Sequence, residues 1–128
     1  MIKMKPYGSI TFFYYKDLKK ANTFYSETLG FQKVIDVDFA QVYKICEGVH
    51  VGLVDGERGS IRPSTEKPVM LSLFVENLDE WYQQIKNKGI DISEPKQPAY
   101  LDMRVSFLKD PEGYIIEFLE WLKKPYGK

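Results

Sequence analysis

Lys109-Asp110-Pro111-Glu112-Gly113-Tyr114-Ile115-Ile116-Glu117-Phe118-Leu119-Glu120-Trp121 reads as a tight turn feeding a β-strand. Pro111 fixes φ at the second turn position, Asp110 can bond the backbone ahead of it, and Gly113 tolerates positive φ. In the strand, Ile115, Glu117 and Leu119 point one way while Ile116, Phe118 and Glu120 point the other. A carboxylate thus stands mid-strand among apolar neighbours on its own face. Glu117 is either exposed on an open sheet face or held in a pocket.

Upstream of the turn, Tyr100 to Leu108 alternates as a longer strand. Its apolar set is Leu101, Met103, Val105 and Phe107, which turns Asp102, Arg104 and Ser106 to the opposite side. Glu94 to Pro98 is a turn, and Ile90 to Ser93 a short strand. Before that, Val69 to Val75 is a strand, and Asn77 caps a helix that presents Leu78, Trp81 and Ile85 before stopping at Gly89. The second half of the chain therefore reads β-α-β-β-β, followed by a loose tail from Lys123 to Lys128.

The first half has the same order. Ser9 to Lys16 is a strand of β-branched and aromatic residues. Asp17 caps a helix whose Leu18, Ala21, Phe24, Tyr25 and Leu29 recur at helical spacing and pack on a sheet, and Gly30 stops it. Phe31 to Val37, Gln41 to Cys46 and Val49 to Val54 are three further strands. Asp55 to Pro68, punctuated by Gly56, Gly59, Pro63 and Pro68, joins the halves; its Arg58 and Arg62 could reach over a ligand, but a plain connection is the simpler reading.

The halves also align residue by residue. Ser9 to Leu18 lies over Val69 to Leu78, a shift of 69 − 9 = 60, and Glu47 to Asp55 lies over Glu112 to Glu120, a shift of 112 − 47 = 65. An internal duplication is the economical explanation, with modules 8–56 and 68–122 inside a single domain. It makes Gly52 the counterpart of Glu117.

A chain of 128 residues and 15.0 kDa is the usual size of one domain. Its 18 basic and 18 acidic residues cancel and are interspersed, which argues against a nucleic-acid footprint and a polybasic membrane surface. No apolar run approaches the ~20 residues of a spanning helix, and the first six residues lack a signal-peptide core, so a soluble cytoplasmic protein is expected. Cys46 is the single cysteine, which excludes an internal disulfide and a thiolate cluster. The aromatic share, 15%, suits a β-rich core; only rings facing away from the helices are pocket candidates.

Asp17-Leu18, Phe24-Tyr25, Leu29-Gly30-Phe31, Phe74-Val75 and above all Asp110-Pro111-Glu112-Gly113-Tyr114 leading to Ile116-Glu117 are spread from Ile10 to Leu119. In this order, and with the duplication, the chain resembles the vicinal oxygen chelate superfamily of glyoxalase I, bleomycin-resistance proteins and extradiol dioxygenases. The resemblance implies an α+β fold of two βαβββ modules whose strands curl into a cup, helices on the outer face, and a homodimer. Strand parity is compatible with it. If Ile10, Phe12 and Tyr14 face the cup, then so do Met70, Ser72 and Phe74, together with His50, Gly52 and Val54, and Ile115, Glu117 and Leu119. The other faces, such as Val51 and Leu53 or Leu71 and Leu73, are aliphatic, as a helix-covered side should be.

The resemblance also implies metal positions, which in this chain are Ile10, Gly52, Met70 and Glu117. Two offer no side-chain donor, and a thioether is a poor ligand for Zn, Ni, Mn or Fe(II), whereas a catalytic metal takes about three protein ligands. His50 is two residues from Gly52, roughly 6 to 7 Å along the strand, and reads better as a hydrogen-bonded pocket or interface histidine. No cofactor is expected, although a divalent metal at an altered site is not excluded by sequence. What remains is an aromatic and polar pocket: Phe12, Tyr14, Tyr43, His50, Ser72, Phe74, Arg104 and Glu117. Glu117 would pair with Arg104, Tyr14 or Ser72, contact a ligand, or act as a general base. Two functions follow as expectations. One is a binding protein for a small organic ligand; the other is a glyoxalase-like lyase or isomerase using Glu117.

Overall fold

The computed structural model describes residues 4–99 and 101–125. The chain forms two compact units, one running to Ser64 and one from Thr65 onward. The fold is α+β, with one mixed sheet in each unit.

In the first unit, β1 (Ser9–Tyr15) enters α1 (Leu18–Thr23), and β2 (Gln32–Val37), β3 (Ala40–Cys46) and β4 (Val49–Asp55) follow. The sheet order is β1-β4-β3-β2, with β1 parallel to β4 and the remaining pairs antiparallel. Asp17 caps α1 as its position suggests, its Oδ1 accepting from the Lys20 amide at 3.1 Å. The helical stretch does not stay α-helical. At Phe24–Thr28 it widens into a π turn, closed by the Leu29 amide on the Phe24 carbonyl at 3.0 Å. That turn brings Phe24 and Tyr25 onto the core side together. Phe13, Tyr15, Tyr25, Tyr43, Val51 and Leu53 are buried there.

Polar groups inside this layer satisfy one another. Tyr15 and Tyr25 join hydroxyl to hydroxyl at 3.1 Å, and the Tyr43 hydroxyl donates to Asn22 Oδ1 at 2.7 Å. Asn22 Nδ2 donates in turn to Gln41 Oε1 at 2.7 Å. Each buried group has a partner, so helix and sheet are registered against each other without an orphan.

The second unit contains β5 (Met70–Phe74), α2 (Leu78–Asn87), β6 (Met103–Lys109) and β7 (Ile115–Trp121), in sheet order β5-β7-β6. The expected short strand at Ile90 to Ser93 is reduced to a bridge between Ile92 and Leu108, with another between Lys96 and Val105. Pro95, which lies between the two bridges, has no amide to donate to a ladder that would join them. The strand expected from Tyr100 begins at Met103; Tyr100 itself, like residues 126–128 of the expected tail, lies outside the described residues.

Asn77 also departs from expectation. It adopts φ 65°, its side chain makes no cap bond, and the Glu80 and Trp81 amides reach its carbonyl instead at 3.0 and 3.2 Å. Asparagine is among the few side chains that tolerate this left-handed geometry. Leu78, Tyr82 and Ile85 are the buried residues of α2, and Trp81 stacks on Phe118 at a centroid distance of 5.0 Å.

The 109–115 turn forms by the chemistry its residues suggest. Asp110 Oδ1 accepts from the Glu112 and Tyr114 amides at 2.9 and 3.0 Å, and Gly113 takes φ 93°. Pairing then runs outward from Lys109 opposite Ile115 to Phe107 opposite Glu117 and Met103 opposite Trp121. The connection after β4 is pinned to its own unit. Arg62 Nη1 donates to the Gly56 and Gly59 carbonyls at 3.0 and 2.5 Å, and Arg58 pairs with Asp38 at 2.5 Å.

Among the described residues no helix is long and apolar enough to cross a membrane.

Candidate functional site

Each module pairs its first strand with its last, and the same rung in each is the informative one. In the first module Ile10, Phe12 and Tyr14 stand opposite His50, Gly52 and Val54. In the second, Met70, Ser72 and Phe74 stand opposite Ile115, Glu117 and Leu119. The shifts of 60 and 65 residues that align the sequence halves therefore also align these ladders rung for rung.

At the middle rung the volumes are exchanged. Phe12 lies across Gly52 so closely that a Cβ at Gly52 would sit 2.4 Å from Phe12 Cδ1. In the second module a small residue faces a large one, and the Ser72 hydroxyl donates to Glu117 Oε1 at 2.6 Å. A hydroxyl on a carboxylate at this distance is a charge-assisted bond. Of the three partners sequence offered for Glu117, Ser72 is the one bonded to it. Only 7% of Glu117 is exposed, yet its second oxygen, Oε2, makes no hydrogen bond with the described residues.

The surroundings of these rungs are aromatic and open. Phe12 is 45% exposed and Phe74 61% exposed, the latter packing edge-on against Trp121 at 5.4 Å. Tyr14 is half-buried and abuts Gly59. His50 places Nδ1 3.2 Å from the Ser9 carbonyl, so its ring is hydrogen-bonded to backbone at that nitrogen.

Two expected pocket residues lie on the other side. Tyr43 pairs with Val51, is buried against Tyr25 and bonds Asn22 of α1, which places it in the helix-facing core. Burial raises its phenol above the ordinary value. Arg104 stands opposite Glu120 and forks onto Asp79 of α2 at 2.9 and 3.0 Å, so it ties helix to sheet and does not approach Glu117. Its hydrogen bond holds the Asp79 carboxyl below the usual carboxylate range. Ser106, expected beside it on the pocket side, is likewise buried and bonds the Ser93 carbonyl. The residues that do share the Glu117 face of β6 are Met103, Val105, Phe107 and Lys109. Sequence parity alone reversed this strand; counting outward from the Asp110 turn would have placed Phe107 opposite Glu117.

The metal positions implied by the sequence resemblance can be tested on these donors. In the first module Ile10 and Gly52 supply none, and the Phe12 ring fills the space above Gly52. In the second, Met70 offers a thioether and Glu117 a single carboxylate, one oxygen of which accepts from Ser72. Among the described residues no three His, Cys, Asp or Glu side chains gather in a way that could hold a metal ion. This donor set does not fit a catalytic divalent cation.

A family model for the Glyoxalase/Bleomycin resistance protein/Dioxygenase superfamily matches residues 9–118. The chain belongs to that superfamily. Its fold is similar to that of solved structures at about one-fifth sequence identity. A glyoxalase/bleomycin resistance protein/dioxygenase from Nocardioides superposes with TM-score 0.77 and 20% identity, covering 100% of this chain and 92% of the other. Lactoylglutathione lyase from Agrobacterium tumefaciens gives 0.75 and 20%, covering 92% and 96%. TnmS3, an antibiotic binding protein from Streptomyces sp. CB03234, gives 0.77 and 20%, covering 94% and 99%. At this identity the likeness establishes the fold, and the same fold serves a lyase and a binding protein. No curated protein matches the sequence.

Proposed function

We propose that this superfamily member binds a small organic ligand on the open aromatic faces of its modules and does so without a metal. The observation that carries the reading is the Ser72–Glu117 rung: a nearly buried carboxylate with one oxygen held by a hydroxyl at 2.6 Å and the other unbonded, among exposed aromatic side chains. Aromatic area supplies affinity, and a fixed acceptor supplies orientation. Phe12, Tyr14 and His50 in the first module and Ser72, Phe74 and Glu117 in the second are the contact residues. We further place the protein in the cytoplasm as a homodimer; β2, with Val34, Ile35 and Val37 exposed along an edge strand, is compatible with burial against another chain.

Thermal-shift screening against antibiotics, aromatic acids and thiol conjugates tests the binding reading. Hits should be weakened by Glu117→Gln and by Ser72→Ala, the latter also lowering stability by about 1 to 2 kcal/mol through loss of a charged hydrogen bond. Elemental analysis of protein purified without chelator should find no stoichiometric transition metal; one that disappears with Glu117→Gln would overturn metal independence. The second reading, a lyase or isomerase with Glu117 as general base, rests on the unbonded Oε2. Solvent-isotope exchange into a bound carbon acid, abolished by Glu117→Gln, would select it over a binding protein.

A further inference from the structure

The Glu117 face of the second module continues into a hollow of about 640 Å³ lined by the apolar Met70, Phe107 and Ile115 and by Asp91, Ser93 and Lys109. The volume lies within the roughly 300 to 1,000 Å³ of small-molecule sites. Register ties it to the rung already described. Met70 and Lys109 both stand opposite Ile115, one step from Ser72 and Phe107, which both stand opposite Glu117.

Asp91 is held close by the segment that follows it. The Ser93 amide donates to the Phe107 carbonyl at 2.9 Å, Ser93 Oγ accepts from the Phe107 amide at 2.8 Å, and Ile92 bridges Leu108. Asp91 and Lys109 are exposed, and neither side chain takes part in a hydrogen bond or an ion pair, with each other or with any described residue. Opposite charges that line one hollow without neutralising each other leave a cation site and an anion site at once, flanking apolar surface.

We infer that the second module takes a zwitterion with an apolar body, of the aromatic α-amino acid class: carboxylate to Lys109, ammonium to Asp91, ring over Met70, Phe107 and Ile115. This rests on the proposed ligand-binding role of the same face and names the chemistry of its ligand.

Three probes that share one ring separate the charges: L-phenylalanine, 3-phenylpropanoate and 2-phenylethylamine, titrated into the full chain by calorimetry. Phenylalanine should bind about tenfold more tightly than either singly charged probe, the scale of one charged hydrogen bond. Lys109→Met should bring phenylalanine down to phenylethylamine, and Asp91→Asn should bring it down to phenylpropanoate; both positions are exposed, and circular dichroism checks that the variants fold. Equal binding of the three probes, or a zwitterion preference that survives both substitutions, overturns the inference. If none of the three binds while thermal-shift hits weakened by Ser72→Ala exist, this ligand class falls and the binding role stands. If no ligand is sensitive to Ser72→Ala or Glu117→Gln, the binding role itself falls.

Discussion

Gly52→Ala should destabilise the protein, and Phe12 should be the reason. The added Cβ would lie 2.4 and 2.5 Å from Phe12 Cδ1 and Cε1 and 3.3 Å from Ile10 Cγ2. Ordinary carbon contact is about 3.5 Å, so the ring must retreat by about 1 Å. It has somewhere to go, being 45% exposed, but leaves its packing and its rotamer minimum at a cost of roughly 0.5 to 1.5 kcal/mol, and overpacking generally costs about 1 to 3 kcal/mol. Against this, alanine gains about 0.5 to 1 kcal/mol over glycine within a strand, and Gly52 is not at positive φ. The net loss should be on the order of 1 kcal/mol, or roughly 4 °C in Tm for a domain of this size. In a Phe12→Ala background the clash is gone and the same substitution should stabilise by about 0.5 kcal/mol. Urea unfolding of the four proteins of this cycle, followed by circular dichroism, measures the coupling. An equal effect of Gly52→Ala in both backgrounds would refute the reasoning. The same clash confronts any side chain, so a carboxylate could stand at position 52 only beside a smaller residue at 12, as Glu117 stands beside Ser72.

Tyr43→Phe should cost about 1 kcal/mol at neutral pH through loss of the hydroxyl bond to Asn22 Oδ1. Because burial raises the folded phenol, its contribution is complete below the unfolded value of 10.0 and is lost as pH rises through the folded one; the variant should therefore lose less stability than wild type between about pH 8 and pH 11, read from urea midpoints. Arg104→Met should lower the thermal midpoint while leaving ligand affinity within about twofold, since Arg104 faces α2. Asp79 has a lowered folded value, so the pair contributes above the ordinary carboxylate range and fades as pH falls through that lowered value; a wild-type acid transition unchanged by Arg104→Met would contradict this.

Much of the architecture was legible because the chain alternates cleanly where one face is covered by a helix. Phe13, Tyr15, Val51 and Leu53 are buried on the parity their spacing implies. The turn at Asp110 could be read residue by residue because its bonds are local. β6 was not legible in this way. Its apolar residues Met103, Val105 and Phe107 share the Glu117 face, while Arg104 and Ser106 lie on the opposite one, where Asp79 of α2 and the Ser93 carbonyl satisfy them. Alternation reports two faces but not which one a helix covers when the buried polar residues have partners distant in sequence. Tyr43 misled for a similar reason. A phenol suits a ligand site and a satisfied core equally, and Asn22, which decides between them, is 21 positions away. The hollow beside Lys109 was invisible because the Asp91 segment is placed by two bonds to Phe107 across an irregular stretch.

In both modules the strand made last is hydrogen-bonded on both sides: β4 lies between β1 and β3, and β7 between β5 and β6. During synthesis the first strand of each module must therefore wait, its partner edge unfilled, until the final strand of that module emerges and slots in parallel beside it. A ladder of this kind closes late because the two strands are far apart along the chain. For the second module the inserted strand is the one bearing Glu117, so the seam of the sheet and the carboxylate site depend on the same strand. A chain stopped before β7 would lack both the seam of its second sheet and the acceptor bonded by Ser72.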